Sequence, residues 1–324
     1  MYAREIHDSL DFRERRISKL EPPRAPIAPT AYERLVAFRR SLPRTPRVEQ
    51  QTVRVRGGAL AVFSSPFVAG APPLVCINGG MIYGHEMLWP ALAPLAQRRQ
   101  IILFDQRGRG RSPAPADPAA ATIHDDAADV GALRRALGIR QWDVLGHSWG
   151  GGIAMLAGAL DPAGTRRLVT VDAVGPTSNW MPALRENVLA RLAGAQREQV
   201  ASVSEADLTA PDPELHSRYA SAVYPAWFAH SELAAHFAPP RASSITGAAA
   251  LARLRSGYDW RPRLGALRVP TLVIHGGDDA LPPAVSADLS YTLQTAPPLV
   301  LPACGHMPFW EAPEPFFAAI EAFL

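Results

Sequence analysis

The stretch Trp142-Asp143-Val144-Leu145-Gly146-His147-Ser148-Trp149-Gly150-Gly151-Gly152 decides the fold. A short apolar run ends at Leu145, and a Gly/Ala-rich segment with helical character follows as far as Leu160. Between the two stands a serine at Gly-x-Ser-x-Gly spacing. A serine hydroxyl is a poor nucleophile unless it is exposed, oriented and hydrogen-bonded to a base. A tight strand-to-helix turn supplies the exposure. Its glycines are needed because such a turn leaves no room for side chains, and the helix N-terminus favours developing negative charge. The pattern alone is weak; its place between a strand and a helix gives it weight.

The same alternation extends on both sides. Residues 52–56 alternate apolar and polar, Gly57-Gly58 is a hairpin signal, and 59–63 reads as a second strand. Short apolar runs follow at 74–77, 101–104, 142–145, 168–171, 271–274 and 299–301. Such runs suit strands buried on both faces of a parallel sheet. Helical stretches separate most of them, at 86–96, 122–137, 151–160, 283–293 and 313–324, and Thr122 with Asp125 is a helix start. The expected fold class is therefore α/β: a mostly parallel, eight-stranded sheet flanked by helices. One segment breaks the rhythm. From Pro176 to Pro262 no strand-like run occurs and aromatics accumulate, which predicts a helical cap inserted between the sixth and seventh strands. The chain is expected to divide into an N-terminal extension (1–50), a first core part (51–175), the cap (176–262) and a second core part (263–324). The extension begins with a helical pattern (Ile6, Leu10, Ile17, Leu20), passes through a Pro-rich stretch, and ends in an amphipathic segment from Tyr32 to Leu42 that packs on the body.

A nucleophilic serine needs a base and an acid. His275-Gly276-Gly277-Asp278-Asp279 lies at the end of the seventh strand and Cys304-Gly305-His306-Met307 after the eighth. Both fall where an α/β sheet assembles its site. The order Ser, Asp, His is that of a nucleophile-elbow enzyme, with His306 as base and a carboxylate fixing its tautomer. The loop Asn78-Gly79-Gly80-Met81 lets backbone approach closely, so that an N–H of Gly80 or Met81, with that of Trp149, forms an oxyanion hole.

These motifs resemble the α/β-hydrolase fold superfamily over about residues 50–324. Within it, Asp105-Gln106-Arg107-Gly108-Arg109-Gly110-Arg111-Ser112 and Gly146-His147-Ser148-Trp149-Gly150 are similar to the proline iminopeptidase branch. The resemblance implies Ser148 as nucleophile, Asp279 as acid and His306 as base; Asp278 and Asp172 are the alternative acids. Two features depart from that branch. Asn78-Gly79-Gly80-Met81-Ile82 replaces its usual His-Gly-Gly-Pro-Gly, and Glu186, Glu198, Glu205, Glu214 and Glu232 match no amine-binding motif.

Composition excludes other classes. The 324 residues are 48% hydrophobic and 19% charged, no apolar run approaches a membrane-spanning length, and the charged first twenty residues lack a signal-peptide core. A cytoplasmic protein without membrane or nucleic-acid partners is expected, given a net charge of only +3. Two cysteines and scattered histidines leave no metal site in view, and no cofactor is expected. Lys19 is the sole lysine against 32 arginines, which reads as coding bias. Likewise 107–111 reads as a structural loop rather than a phosphate site. His147 is expected to pack the elbow, while His85, Trp180, Tyr224, Trp227 and Phe228 are candidate substrate contacts. The expected function is a serine hydrolase cleaving an ester or amide of a small, largely apolar molecule or short peptide. The alternatives are a proline iminopeptidase-type aminopeptidase, or an acyltransferase, lyase, cyclase or ligand-binding protein on the same fold.

Overall fold

The computed structural model describes residues 29–43, 47–118, 121–210, 212–238 and 245–324. The helical start expected before residue 29 lies outside them. Eight strands form one sheet: β1 (Glu49–Val55), β2 (Gly58–Ser64), β3 (Leu74–Ile77), β4 (Ile101–Phe104), β5 (Trp142–His147), β6 (Thr165–Val171), β7 (Thr271–Gly276) and β8 (Leu299–Leu301). Their order is β1-β2-β4-β3-β5-β6-β7-β8. The pairs β1–β2 and β2–β4 are antiparallel and the rest are parallel. The chain runs outward from β3 to β4 and then returns to place β5 on the other side of β3. The carboxyl ends of β3 and β5 therefore border the switch-point crevice where sheets of this kind bind ligands.

Strand periodicity sends alternate side chains to two separate cores. Val75, Ile77, Ile102, Phe104 and Val144 join one apolar cluster; Leu74, Cys76, Ile101, Leu103 and Leu145 join the other. This two-sided burial accounts for the short, continuous apolar runs. The run in β8 departs from the pattern: Leu299 and Val300 are exposed, because β8 is an edge strand paired only with β7.

In chain order the helices are α1 (Ala31–Ser41), α2 (Ile123–Ala136), α3 (Trp149–Leu160), α4 (Met181–Arg191), α5 (Gly194–Ser202), α6 (Glu205–Thr209), α7 (Pro213–Val223), α8 (Ile245–Arg255), α9 (Arg261–Leu264), α10 (Ala284–Leu293), α11 (Pro308–Glu311) and α12 (Pro313–Phe323). Helix α2 starts at a capping box formed by Thr122 and Asp125, as expected. The helix expected over 86–96 is absent; two short 3₁₀ turns, His85–Met87 and Ala93–Gln97, replace it. Pro90 and Pro94 supply no N–H for a continuous helix there. Helices α4 to α9 lie between β6 and β7, with an isolated bridge from Thr177 to Asp259 at their base. Helix α1 packs Phe38 against Trp310 and Phe317, each ring pair 5.6 Å apart, and Arg39 over Phe237 at 4.2 Å. Among the described residues no helix is long and apolar enough to cross a membrane.

The arginines are less idle than coding bias suggests. Arg109 reaches Asp126 with two bonds of 2.8 and 2.9 Å, Arg107 clasps Asp129, and Arg99 and Arg166 share Asp143. Arg107 and Arg166 each bond their carboxylate through two nitrogens, a planar pairing that suits guanidinium rather than ammonium.

Candidate active site

The turn between β5 and α3 is forced into an unusual shape by what surrounds it. Ser148 has φ 55° and ψ −121°, a backbone region that costs a non-glycine residue roughly 1–3 kcal/mol. Fixed contacts hold it there. Its N–H donates to Val171 O at 2.8 Å, and its carbonyl accepts from Gly151 N at 2.9 Å and Val174 N at 3.3 Å. The glycines are required sterically: a Cβ at Gly146 would run into the Gly150 carbonyl, and one at Gly150 into the Ile77 carbonyl. Ser148 makes no side-chain capping bond to α3 and is half-buried between buried His147 and Trp149. Its hydroxyl is thus displayed rather than used for folding.

His306 lies on the loop between β8 and α11. Its Nδ1 donates to Asp279 Oδ2 at 2.7 Å, which leaves Nε2 as the basic nitrogen. Asp279 also accepts the Leu281 N–H at 3.0 Å. Burial works to raise the Asp279 carboxyl, but the charge and hydrogen bond of His306, with His275 and the Leu281 N–H, outweigh it and hold it below the usual carboxylate range. Of the three acids open at the sequence level, Asp279 is the one bonded to His306. Asp278 is exposed. Asp172 is buried and accepts the Gly276 N–H at 2.7 Å; burial, then the Asp279 charge, pushes its carboxyl well above the ordinary value.

Every backbone polar group of His306 is tied. Its N–H donates to Trp227 O at 2.7 Å, and its carbonyl accepts His147 Nε2 at 2.8 Å. His147 is the packing residue expected: burial, aided by nearby His306, pushes its pKa down to about 3, so it stays neutral.

The loop after β3 closes the other side. Gly79 passes so near the elbow that an added Cβ would lie 2.6 Å from Ser148 Cβ and 2.8 Å from His147 O. Gly80 and Met81 both take positive φ, 81° and 48°. The N–H of Trp149 opens α3 and so has no intrahelical acceptor. What the sequence did not disclose is how this loop is held. Gln106 Nε2 donates to Asn78 O at 3.0 Å, and Arg109 Nε to Met81 O at 2.7 Å, while Arg109 is anchored on Asp126 with both side chains fully buried. Within the 105–112 run, Gln106 and Arg109 thus support the Asn78–Met81 loop from inside.

The substrate-contact expectations fare unevenly. His85 is taken up by Asp105, 3.0 Å from Nδ1, and stacks on Phe63 at 3.5 Å; the buried Asp105 carboxylate claims it. Trp180 donates to Tyr258 Oη at 2.7 Å and packs in the core. Phe228 is 1% exposed, wedged between Tyr224 and Phe237. In this structure all three are packed among other side chains, since aromatic content alone does not tell inward from outward. Tyr224 lines a groove of about 660 Å³ with Trp89, Phe237, Met307 and Trp310. Trp227 is the one whose ring lies against His306, at 4.7 Å. Cys76 and Cys304 are buried free thiols, both pushed up by burial. Three His and carboxylate groupings come within ligand spacing, around His147, His85 and His275. Their histidines hydrogen-bond the His306 carbonyl, Asp105 and the Leu281 carbonyl respectively.

Comparison with known proteins agrees with the fold. The profile described as alpha/beta hydrolase fold matches residues 72–313. A proline iminopeptidase of Lactobacillus helveticus is 27% identical over 269 residues, covering 78% of this chain and 90% of its own. A 2-hydroxymuconate semialdehyde hydrolase of Pseudomonas putida is 31% identical, covering 71% and 78%. The crystal structure of a proline iminopeptidase-related protein from Thermus thermophilus superposes with a TM-score of 0.66 at 25% identity, over 86% of this chain and 97% of that one. A profile match over most of the length, relatives that are hydrolases and a sheet of matching shape lead to one conclusion: the chain belongs to the α/β-hydrolase fold family and is an enzyme of the hydrolase class.

Proposed function

We propose that this protein is a serine hydrolase that opens an ester or amide bond of a small, largely apolar substrate through an acyl-enzyme. The observation carrying this reading is the 2.7 Å bond from His306 to Asp279, with the His306 backbone held by His147, the residue before a half-buried serine in a strained elbow. In the proposed sequence His306 Nε2 takes the Ser148 proton as Oγ attacks the carbonyl. The proton then passes to the leaving group, and water, activated by the same imidazole, frees the acid. Asp279, ionised below the usual range, stabilises the imidazolium. The N–H groups of Trp149 and of Gly80 or Met81 receive the oxyanion, each such donor being worth a hundredfold or more in rate.

Gly79→Ala tests the loop's part. Its Cβ would fall inside the contact distances given above, so the loop or the serine must move. A displacement near 1 Å costs about 100-fold in kcat. Turnover of a short-chain p-nitrophenyl ester, compared with wild type at equal folded fraction by circular dichroism, measures it.

A second reading, a proline iminopeptidase-type aminopeptidase, draws on the relatives. Recognition of a free amine calls for a carboxylate facing the site, and Glu186, Glu198, Glu214 and Glu232 are all exposed; the side chain of Glu205 lies outside the described residues. We therefore favour the esterase or amidase reading. The comparison that decides is kcat/KM for an N-terminal-proline arylamide, its N-acylated form and a simple aryl ester. The favoured reading predicts less than about threefold preference for the free amine, whereas losing one buried charged contact costs tenfold or more. A preference of that size establishes the aminopeptidase instead.

A further inference from the structure

Glu311 closes α11 as a carboxylate that the proposed chemistry leaves unused, and it is only 4% exposed. Three backbone donors converge on it. Oε2 accepts the Ala229 N–H at 2.8 Å, and Oε1 accepts those of Gly305 at 3.1 Å and Met307 at 3.3 Å. Gly305 and Met307 bracket His306. Ala229 belongs to the insertion between β6 and β7, two residues beyond Trp227, whose carbonyl and ring both engage His306. The two segments touch closely: a Cβ at Gly305 would lie 2.5 Å from Ala229 N and 2.6 Å from Trp227 O.

A buried carboxylate is costly unless its oxygens are satisfied. Three N–H groups with no other acceptor require a partner that only accepts, and an ionised carboxylate is the side chain that does so with two oxygens. Glutamine keeps one carbonyl but must turn an N–H₂ towards either Ala229 or the Gly305–Met307 pair. Burial pushes the Glu311 carboxyl up to about 7, the three N–H donors pull it back, and the Asp279 charge adds to the rise. The ionisable groups around it are Asp279 after β7, Asp172 after β6, and Cys304 and His306 on the β8–α11 loop, where His306 in turn meets His147 at the end of β5.

We infer that Glu311 is a positioning residue that clamps the His306 loop to the Trp227–Ala229 segment of the insertion, so that the base is aligned from the side that covers the site. The inference rests on His306 being the base. The sign of its pH dependence follows from the raised value. Glu311 is charged and the clamp complete above about pH 7; as pH falls through that value the carboxyl gains a proton and an acceptor is lost.

Glu311→Gln, Glu311→Asp and wild type are compared by ester turnover from pH 5.5 to 8.5, with sites counted by a fluorophosphonate. At pH 8, Glu311→Gln is expected to lower kcat per labelled site by about 10- to 100-fold, as a misalignment near 1 Å would. KM should stay within about threefold. The wild-type to Gln ratio narrows below pH 6, where wild-type Glu311 is itself protonated, and Glu311→Asp recovers part of the loss. Unchanged kcat per labelled site, or a ratio flat with pH, overturns the inference and leaves Glu311 a folding residue. If the Gln variant does not fold, the Asp variant carries the test: kcat per site equal to wild type at pH 8 overturns it. His306→Ala, run in parallel, separates the two levels, since labelling at the wild-type rate there would defeat the base assignment itself.

Discussion

Ser148→Ala is expected to lower kcat on an activated ester by on the order of 10⁶-fold while leaving the fold and the melting temperature nearly unchanged. The size follows from where the hydroxyl stands. It makes no capping bond, so its removal costs no structural hydrogen bond in α3, but in the proposed mechanism it is the atom through which the covalent route passes. The oxyanion donors and the binding surface survive the change and account for the residual rate over water. Stopped-flow release of p-nitrophenolate measures the loss. A variant retaining more than about a tenth of wild-type kcat points instead to His306 acting as a base without an acyl-enzyme, as a lyase or cyclase would use it.

Asp279→Asn carries the second large effect, about 10⁴-fold in kcat with little change in KM. An amide in place of the carboxylate presents an N–H₂ to His306 Nδ1, which favours the tautomer with its proton on Nε2, the nitrogen that must accept the serine proton. Asp172 makes no hydrogen bond to His306 in this geometry, and burial with the neighbouring Asp279 charge pushes its carboxyl well above the ordinary value, which disfavours the charged form needed to replace Asp279. The variant also changes acid stability. Since the folded-state value of Asp279 lies below the ordinary one, its contribution is complete above about pH 4 and is lost as pH falls through the lowered value. Asp279→Asn should flatten the acid limb of the unfolding curve below about pH 4, which denaturant titrations from pH 5 downward would reveal.

The sheet was legible because burial on both faces leaves an imprint that needs no partner to be read. Leu74–Ile77 and Ile101–Phe104 are apolar at every position since each face meets a core. That Ser148, Asp279 and His306 each follow a strand at its carboxyl end was legible for a related reason, since the apolar runs that precede them mark those strands. Capping is equally local, so Thr122 with Asp125 marked α2. The 86–96 segment misled because its apolar residues suit a helix while Pro90 and Pro94 forbid a continuous one. Harder still were contacts made by folding. Arg109 and Asp126 are 17 residues apart, and Ala229 and Glu311 82 apart, with no periodicity linking either pair. His85 and Phe228 are polar and aromatic enough to line a pocket, yet Asp105 and Phe237 claim them. The arginine excess, which composition explained by coding alone, holds the Asn78–Met81 loop through Arg109.

Fluorophosphonate labelling followed by peptide mapping tests the proposed nucleophile most directly. The geometry around Ser148 predicts one adduct per chain, on Ser148, abolished in Ser148→Ala and slowed by about 1,000-fold or more in His306→Ala, where no base takes the proton. An intact chain that remains unlabelled, or an adduct on any other residue, would contradict it.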